Sequence, residues 1–171
     1  MPNNHDAERW IALLGLEPHP EGGFFRETWR SPLAVGGLPH GAPRSASTAI
    51  YFLLAGGAFS ALHRVASDEV WHFYDGDAID LHLLDGKTHH VLTLGLDFAA
   101  GQRPQHVVPA GVWQAAVPRG TRLSLCGCTV APGFDFADFD LPSRDEMLRL
   151  LPEHGELVVT LTHPTKPVVT A

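Results

Sequence analysis

Short runs of apolar and β-branched residues, broken at close intervals by glycine and proline, make up most of this chain. Such runs are typical of β-strands. They predict strands at residues 24–29, 48–54, 58–65, 69–74, 78–84, 89–94, 105–108, 113–117 and 122–130. Asp85-Gly86 is a strong hairpin signal, and residues 31–45, rich in glycine and proline, predict a long exposed loop. Eight or nine short strands joined mainly by hairpins predict an all-β sandwich or barrel with mostly antiparallel sheets.

The apolar positions change to helical spacing only near the two ends of the chain. Residues 6–14 predict a helix that Gly15 can end. Near the other end, Ser143 and Glu146 form the pattern of a capping box ahead of a predicted helix at residues 144–151. Residues 157–161 fit either a strand or a helix. We therefore predict one domain over residues 1–171, with a barrel at about 24–140.

Composition and charge restrict the partners that this chain can have. Its 171 residues suit one domain, and 44% of them are hydrophobic, which is enough for a core. The formal net charge of −7 argues against nucleic acid and anionic membranes, because both bind a dense basic surface. No apolar run is long enough to span a membrane, and the first residues lack the order of a secretory signal. We therefore expect a cytoplasmic protein with a small-molecule ligand, no nucleic-acid partner and no membrane partner.

His63 and Glu69 carry the strongest chemical signal. They lie six residues apart, between the turn glycines Gly57 and Gly76, in a run rich in strand-forming residues. If both point into a barrel, they meet among apolar side chains, where burial favours their neutral forms. We predict an acid/base pair on neighbouring strands, with His63 as general base and Glu69 as its orienting group or as the acid. The alternative is a buried pair that only fastens two strands together.

Five further residues are candidates for holding a ligand. Arg26 lies among aromatic residues and suits a planar or anionic group such as a carboxylate or phosphate. Gln114 can hold a ligand through its amide, and the adjacent Trp113 suits a stacking wall for a ring or sugar. Trp71 and Tyr51 are the other predicted walls. For Arg26 and Trp113 the alternative is a packing role.

Five segments, in this order along the chain, resemble one branch of a known superfamily. They are LGLEPHPEGGFFRET at 14–28, TAIYFLL at 48–54, HRVASDEVWHF at 63–73, VPAGVWQ at 108–114 and GCTVAPGFDFADF at 127–139. Over about residues 8–165 the chain is similar to the uncharacterised DUF985 family, also grouped as cupin type 5. The resemblance implies a cupin double-stranded β-helix barrel of the jelly-roll type and a homodimer. It also implies a likeness of fold to nucleotide-sugar epimerases, which by itself is a weak argument for function.

Two positions of the general cupin metal pattern differ in this chain. Val65 stands where the resemblance implies a second histidine, and Gln114 stands where it implies the distant histidine. We therefore expect no cofactor. The alternative is a divalent metal held by His63, Glu69 and Gln114, with His72 as a ligand only if a bulge breaks the alternation of its strand.

Three functions agree with these observations. The leading hypothesis is a metal-independent isomerase or epimerase that acts on a sugar-like or keto-acid substrate in the barrel. The second is a non-catalytic barrel that binds or senses a ligand. The third is a metal-dependent oxygenase or isomerase. The sequence does not separate the first two, because both need the same polar groups in the same pocket.

Overall fold

The computed structural model describes residues 4–39 and 41–165, and this part of the chain is mostly β-structure with helices near its two ends. The strands are β1 Glu17–Pro18, β2 Phe24–Arg30, β3 Ala34–Val35, β4 Arg44–Ser45, β5 Thr48–Leu54, β6 Ser60–Val65, β7 Asp68–Gly76, β8 Ile79–Asp85, β9 Thr88–Leu94, β10 Gln105–Val108, β11 Trp113–Pro118, β12 Ser124–Ala131 and β13 Phe139–Asp140. The α-helices are α1 Asn4–Leu14, α2 Arg144–Leu150 and α3 Gly155–Thr160, and short 3₁₀ turns span Phe136–Asp138 and Pro152–His154.

Two antiparallel sheets face each other and enclose the interior. One sheet has six strands in the order β1-β2-β5-β12-β7-β10, and the other has five in the order β13-β6-β11-β8-β9. The chain crosses between them after β5, after β6 and after β7, so neighbours along the sequence often lie in different sheets. This confirms the expected all-β cupin barrel with a short helix near each terminus.

Most strands lie where the apolar runs predict them, and the predicted hairpin turn and helix cap are also present in the structure. Strands β8 and β9 pair from Ile79↔Leu94 to Asp85↔Thr88, with Gly86 in the two-residue turn at φ 57°. Helix α2 begins with the predicted capping box between Ser143 and Glu146. Residues 157–161, which fitted either element, fall mainly in helix α3.

The prediction of a long exposed loop at residues 31–45 was wrong in one respect. It contains the ribbon β3–β4, which pairs Ala34 with Ser45 and Val35 with Arg44. Backbone hydrogen bonds on either side, from Ala46 N–H to Leu33 O at 2.7 Å and from Ser31 N–H to Ser47 O at 2.9 Å, continue the pairing. Glycine and proline therefore mark the tip of this ribbon rather than an unpaired segment. Residue 40 of this segment lies outside the described residues.

Three apolar clusters divide the core. The inner cluster lies between the sheets and includes Phe52, Trp71 and Cys128. A second cluster packs helix α1 against the outer face of the six-stranded sheet, and a third packs α2 and α3 against the outer face of the five-stranded sheet. The terminal helices thus cover the outsides of the two sheets, and the space between the sheets is left for the inner cluster and for a cavity.

No helix within the described residues is long and apolar enough to cross a membrane. The prediction of one domain over residues 1–171 stays a prediction, and its residues 1–3, 40 and 166–171 lie outside the described residues. The homodimer and the cytoplasmic location also stay predictions.

Candidate functional site

A cavity of about 310 Å³ opens at one end of the barrel. Phe52 and Cys128 belong both to its wall and to the inner apolar cluster, so the cavity begins where that cluster ends. Its lining combines aromatic residues with acidic and basic groups from several strands and loops. The lining residues are His19, Glu21, Phe25, Glu27, Arg30, Thr48, Ile50, Phe52, His63, Val65, Glu69, Cys128, Val130, Phe134, Asp135, Phe136 and Phe139.

His63 and Glu69 both line this cavity, but the prediction that they lie on neighbouring strands was wrong. His63 belongs to β6 in the five-stranded sheet, and Glu69 belongs to β7 in the six-stranded sheet. The two residues between β6 and β7 carry the chain across the barrel rather than around a hairpin. His63 and Glu69 therefore approach from opposite sheets, and both are almost fully buried.

A tight turn brings a second carboxyl group, that of Glu21, to His63. The turn joins β1 to β2, and Gly22 and Gly23 adopt φ values of 112° and 71°. A side chain at Gly22 would place its Cβ 2.3 Å from the Phe59 carbonyl oxygen, so only glycine lets the turn lie this close. Ala61 N–H donates to the Glu21 carbonyl at 2.8 Å, which joins the turn to β6 two residues before His63.

The Glu21 carboxyl group lies between two imidazole rings. Its Oε2 is 3.4 Å from His63 Nε2 and 3.3 Å from His19 Nδ1. Its Oε1 accepts a hydrogen bond of 2.8 Å from the Ser60 hydroxyl. His63 Nδ1 lies 2.7 Å from the Ala61 carbonyl, which can only accept, so this nitrogen carries a hydrogen. In neutral His63, Nε2 is therefore the basic nitrogen, and it faces Glu21.

Gln114 connects Glu69 to Trp71 inside the barrel. Trp71 Nε1 donates to Gln114 Oε1 at 3.0 Å, and Gln114 Nε2 donates to Glu69 Oε2. Because an indole N–H can only donate, it determines which end of the amide is oxygen. Gln114 stands directly opposite His63 on the adjacent strand β11 and is fully buried. It holds Glu69 in place through a donated hydrogen bond.

Burial favours the neutral forms of the ionisable groups at the inner end of the cavity. Loss of solvent raises the pKa of Glu21 and, with the help of the nearby Glu21 charge, that of Glu69, although His63 partly offsets the rise for Glu69. The same loss of solvent lowers the pKa of His63 and of His19. The inner end can therefore offer a carboxylic acid as a donor and an unprotonated imidazole as an acceptor at the same pH.

The outer end of the cavity is marked by its more exposed charges. Arg30 forms two hydrogen bonds with the Glu27 carboxylate, at 3.0 and 2.7 Å, and donates to the Phe134 carbonyl at 3.1 Å. Asp135 lies at the same end, with 46% of its side chain exposed. By contrast, Glu21 at the inner end exposes only 7% of its side chain. A ligand entering from solvent would meet this charged rim first.

Arg26 and Tyr51 do not reach the cavity. Each lies between two residues that line it, so strand alternation turns each side chain to the outer face of its sheet. Arg26 Nη1 donates to the carbonyl of Leu14, near the end of helix α1, at 3.0 Å. Tyr51 packs in the apolar cluster beneath that helix. Away from the cavity, Arg26 therefore binds the end of α1 and Tyr51 packs beneath that helix.

The remaining predicted residues lie behind or beyond the cavity wall. Trp71 and Gln114 are buried behind Glu69 and act on it through the hydrogen bonds described above. Trp113 packs beneath α2 and α3, with the Arg64 guanidinium 4.5 Å from the centre of its ring. Neither tryptophan is part of the wall that a ligand would touch.

The predicted ligand set of His63, Glu69 and Gln114, with His72 as a substitute, does not fit a divalent metal ion. The Gln114 oxygen already accepts from Trp71, and its nitrogen, a donor, is what faces Glu69. His72 bonds Thr129 and Gln105 at 3.0 and 2.9 Å on the outer face of the six-stranded sheet, so it cannot replace the missing ligand. Across residues 4–39 and 41–165, no group of three or more His, Cys, Asp or Glu is placed to hold a metal ion.

His19 and Glu21 are the functional candidates that the sequence analysis missed. Their segment, between Glu17 and Gly23, is a loop by composition, and its glycine and proline residues predict only a turn. The available signal was an acid and a histidine in a tight turn directly before an aromatic strand, since functional groups often lie on short loops held by a rigid sheet. The contact between Glu21 and His63 was not predicted, because the two residues are far apart along the chain.

Comparison with known proteins identifies the family. The family described as Cupin superfamily (DUF985) matches residues 8–142. The uncharacterised protein YML079W of Saccharomyces cerevisiae is 30% identical over 161 residues, which covers 80% of this chain and 75% of the yeast protein. The crystal structure of protein SO0799 from Shewanella oneidensis has a TM-score of 0.85 at 38% identity, covering 93% of this chain and 98% of that one.

A hypothetical protein from Leishmania major has the same TM-score of 0.85 at 32% identity, covering 92% of this chain and 98% of that one. These similarities extend over the barrel and the turn that carries Glu21. The chain therefore belongs to the DUF985 family of the cupin superfamily, as its sequence motifs and its two-sheet barrel both indicate.

Proposed function

We propose that the barrel catalyses proton transfer on a small carbonyl compound, as a metal-independent isomerase or epimerase. The observation that carries the proposal is the contact between Glu21 Oε2 and His63 Nε2, at 3.4 Å, in a cavity that also presents Glu69 from the opposite sheet. Two acid/base groups on opposite sides of one apolar cavity suit the removal of a proton at one atom and its delivery at another.

The chemistry balances without a cofactor. Protonated Glu69 donates a hydrogen bond or a proton to the carbonyl oxygen of the substrate. Neutral His63, whose basic Nε2 lies beside Glu21, accepts a proton from the neighbouring carbon, which leaves an enol. Delivery of a proton to that carbon from solvent on the opposite face gives the epimer, with the abstracted proton passing to solvent. When the enol is an enediol, return of the abstracted proton to the former carbonyl carbon gives the isomer. In each case Glu69 takes back a proton from a hydroxyl oxygen of the enol. Nothing is oxidised or reduced.

Gln114 and His19 support these groups. Gln114 directs its amide N–H at Glu69, so the carboxyl oxygen that it contacts acts as an acceptor, and Cys128 also forms a hydrogen bond with this carboxyl group. His19 contacts the same Glu21 oxygen as His63 does, at 3.3 Å, and its ring centroid lies 4.6 Å from that of Phe25. It confines the Glu21 carboxyl group to the cavity.

The test is exchange of solvent deuterium into a carbonyl compound that binds the protein, followed by NMR. Glu21→Gln and Glu69→Gln should each lower the exchange rate by about a hundredfold or more, the usual scale for losing a general acid or base. Asp140→Asn is the matched control, because Asp140 is a half-exposed partner of Arg64 outside the cavity. Exchange that survives both cavity variants would overturn the mechanism. A ligand that binds wild type and never exchanges would favour the non-catalytic barrel.

A further inference from the structure

We infer that the substrate of this cavity is an uncharged carbonyl compound with an apolar ring, and that anionic compounds such as sugar phosphates, nucleotide sugars and keto acids are excluded. The inference rests on the proposed function and narrows its substrate class. It follows from the charges at the rim of the cavity and from the composition of its walls.

The cavity offers no uncommitted cation to an anionic ligand. Within the described residues, Arg30 is the one Arg or Lys side chain in the lining, and Glu27 already binds its guanidinium through two hydrogen bonds. Its remaining contact is the Phe134 carbonyl. A carboxylate or phosphate would have to displace Glu27 to reach the guanidinium. Its ion pair with Arg30 would only replace the one that Glu27 already forms, so little binding energy is gained.

The rim carries a surplus of negative charge. Glu27 and Asp135 face the outer end of the cavity, where Arg30 balances one of them. Arg44 lies 4.0 Å from Asp135, but its guanidinium is held by two hydrogen bonds to Asp138 at 2.7 and 2.8 Å. An anion entering here passes groups of like charge, which reduces its local concentration.

The walls favour a ring with apolar faces. Phe134, Phe136 and Phe139 form an edge-to-face cluster with centroid distances of 5.1, 5.8 and 6.0 Å. Phe25 and Phe52 continue the wall towards the inner end. Aromatic rings prefer such offset and edge contacts, and a ring-shaped ligand would extend the same packing.

A sugar fits the aromatic part of these walls poorly, because hydroxyl groups held against the phenylalanine rings would lose water without finding partners. Thr48, a polar residue of the wall, already accepts a hydrogen bond of 2.9 Å from Phe134 N–H. The acid/base groups are gathered at the inner end, where a single carbonyl group can reach them. Each buried hydroxyl left without a partner weakens binding by about tenfold or more.

Two matched ketones test the inference. Phenylacetone and phenylpyruvate share a benzyl group next to a ketone, and differ in a methyl group against a carboxylate. NMR titration of wild type should show phenylacetone binding at least about tenfold more tightly, the scale of one charged hydrogen bond. Phe136→Ala should weaken the binding of phenylacetone. Fructose should bind to wild type more weakly than phenylacetone or phenylpyruvate does. Tighter binding of phenylpyruvate or of fructose to wild type would overturn the inference.

Glu27→Gln tests the cause of the exclusion. Removing the Glu27 charge releases the Arg30 guanidinium, so the ratio of phenylpyruvate affinity to phenylacetone affinity should rise about tenfold. Asp140→Asn, which removes a carboxylate outside the cavity, should leave this ratio as in wild type. An unchanged ratio in Glu27→Gln would contradict the assignment of Arg30.

The two proposals fail in different ways. If phenylacetone binds to wild type but gains no deuterium, the substrate class stands and the proposed proton transfer fails. If phenylpyruvate binds more tightly and gains deuterium in a Glu69-dependent way, the proton transfer stands and the exclusion of anions fails. Binding and exchange are read in the same NMR samples.

Discussion

Gln114 donates a hydrogen bond from its side-chain amide to the carboxyl group of Glu69, and this bond joins the two sheets of the barrel across its interior. Gln114 comes from the five-stranded sheet and Glu69 from the six-stranded one. Trp71, two residues after Glu69 on the same strand, donates to the other end of the amide. The amide thus satisfies a buried indole and a buried carboxyl group together.

Gln114→Leu should strongly destabilise the protein. Leucine fills a similar volume but leaves the Trp71 N–H and the Glu69 carboxyl group without their partner. Each unsatisfied buried group costs about 1–3 kcal/mol, so the free energy of unfolding in urea should fall by about 2–5 kcal/mol. Gln105→Leu is the control, because Gln105 bonds His72 on the exposed face of the sheet and its loss should change stability by less than about 0.5 kcal/mol. A Gln114→Leu protein as stable as wild type would contradict the network.

Glu69→Gln should gain stability relative to wild type as pH rises. Burial raises the pKa of Glu69 above its usual 4.5, so the folded state holds a proton that the unfolded state releases. That contribution is fully present below pH 4.5 and is lost as pH rises through the folded-state pKa. Urea unfolding of both proteins between pH 4.5 and 8 measures the difference. A difference that does not change with pH would show that Glu69 titrates alike in both states.

His63→Gln should show the opposite dependence on pH. Burial lowers the pKa of His63 below its usual 6.5, so the unfolded state takes up a proton that the folded state rejects. Wild type therefore loses this stability as pH falls below 6.5, and the variant, which lacks the imidazole, does not. The stability of His63→Gln relative to wild type should rise towards acid pH. If it instead falls there, a protonated His63 must be stabilised by Glu21 in the folded state.

Gly22→Ala should destabilise the turn that carries Glu21 more than an equivalent change elsewhere. Gly22 and Gly57 both have positive φ, at 112° and 82°. A Cβ at Gly22 would lie 2.3 Å from the Phe59 carbonyl oxygen, whereas Gly57 has open space around it. Gly57→Ala should cost about 1–2 kcal/mol from backbone strain, and Gly22→Ala about 2–5 kcal/mol from strain and displaced backbone.

Thermal or urea unfolding of the two glycine variants measures these costs, and phenylacetone titration reports on the cavity. Gly22→Ala should weaken phenylacetone binding, since displacement of the turn removes Glu21 from His63, while Gly57→Ala should bind as wild type does. Equal losses in both variants would show that the turn does not depend on the close approach of Gly22.

Strand alternation explains why some site predictions agreed with the structure and others did not. Period-two patterns show which residues share a face, as Glu69 and Trp71 do, but they do not show which face lines a cavity. On β5 the run is apolar on both faces, so the sequence does not show which face points into the barrel. The structure puts Phe52 inside and Tyr51 beneath α1. The answer depends on where the terminal helix packs.

A bulge on β2 makes the same point for charge. The register of β2 against β5 shifts between Glu27 and Trp29, so the alternation that brings Phe25 and Glu27 to the cavity does not continue unchanged. Arg30 lines the cavity, and 51% of Trp29 is exposed. The sequence favoured Arg26 because aromatic residues surround it, and nothing in the local sequence marks the extra residue that brings Arg30 to the cavity.

The sequence by itself determined the strands, the hairpin at Gly86, the capped helix at Ser143 and the positions of His63 and Glu69 in a cupin barrel, because these depend on local propensity, turn chemistry and short motifs. Only the tertiary structure decided which groups meet. Glu21 reaches His63 through a tight turn docked on another strand, and Glu69 faces His63 from the opposite sheet. Contacts between distant segments depend on packing and on crossings between sheets, which leave no periodic signal in the chain.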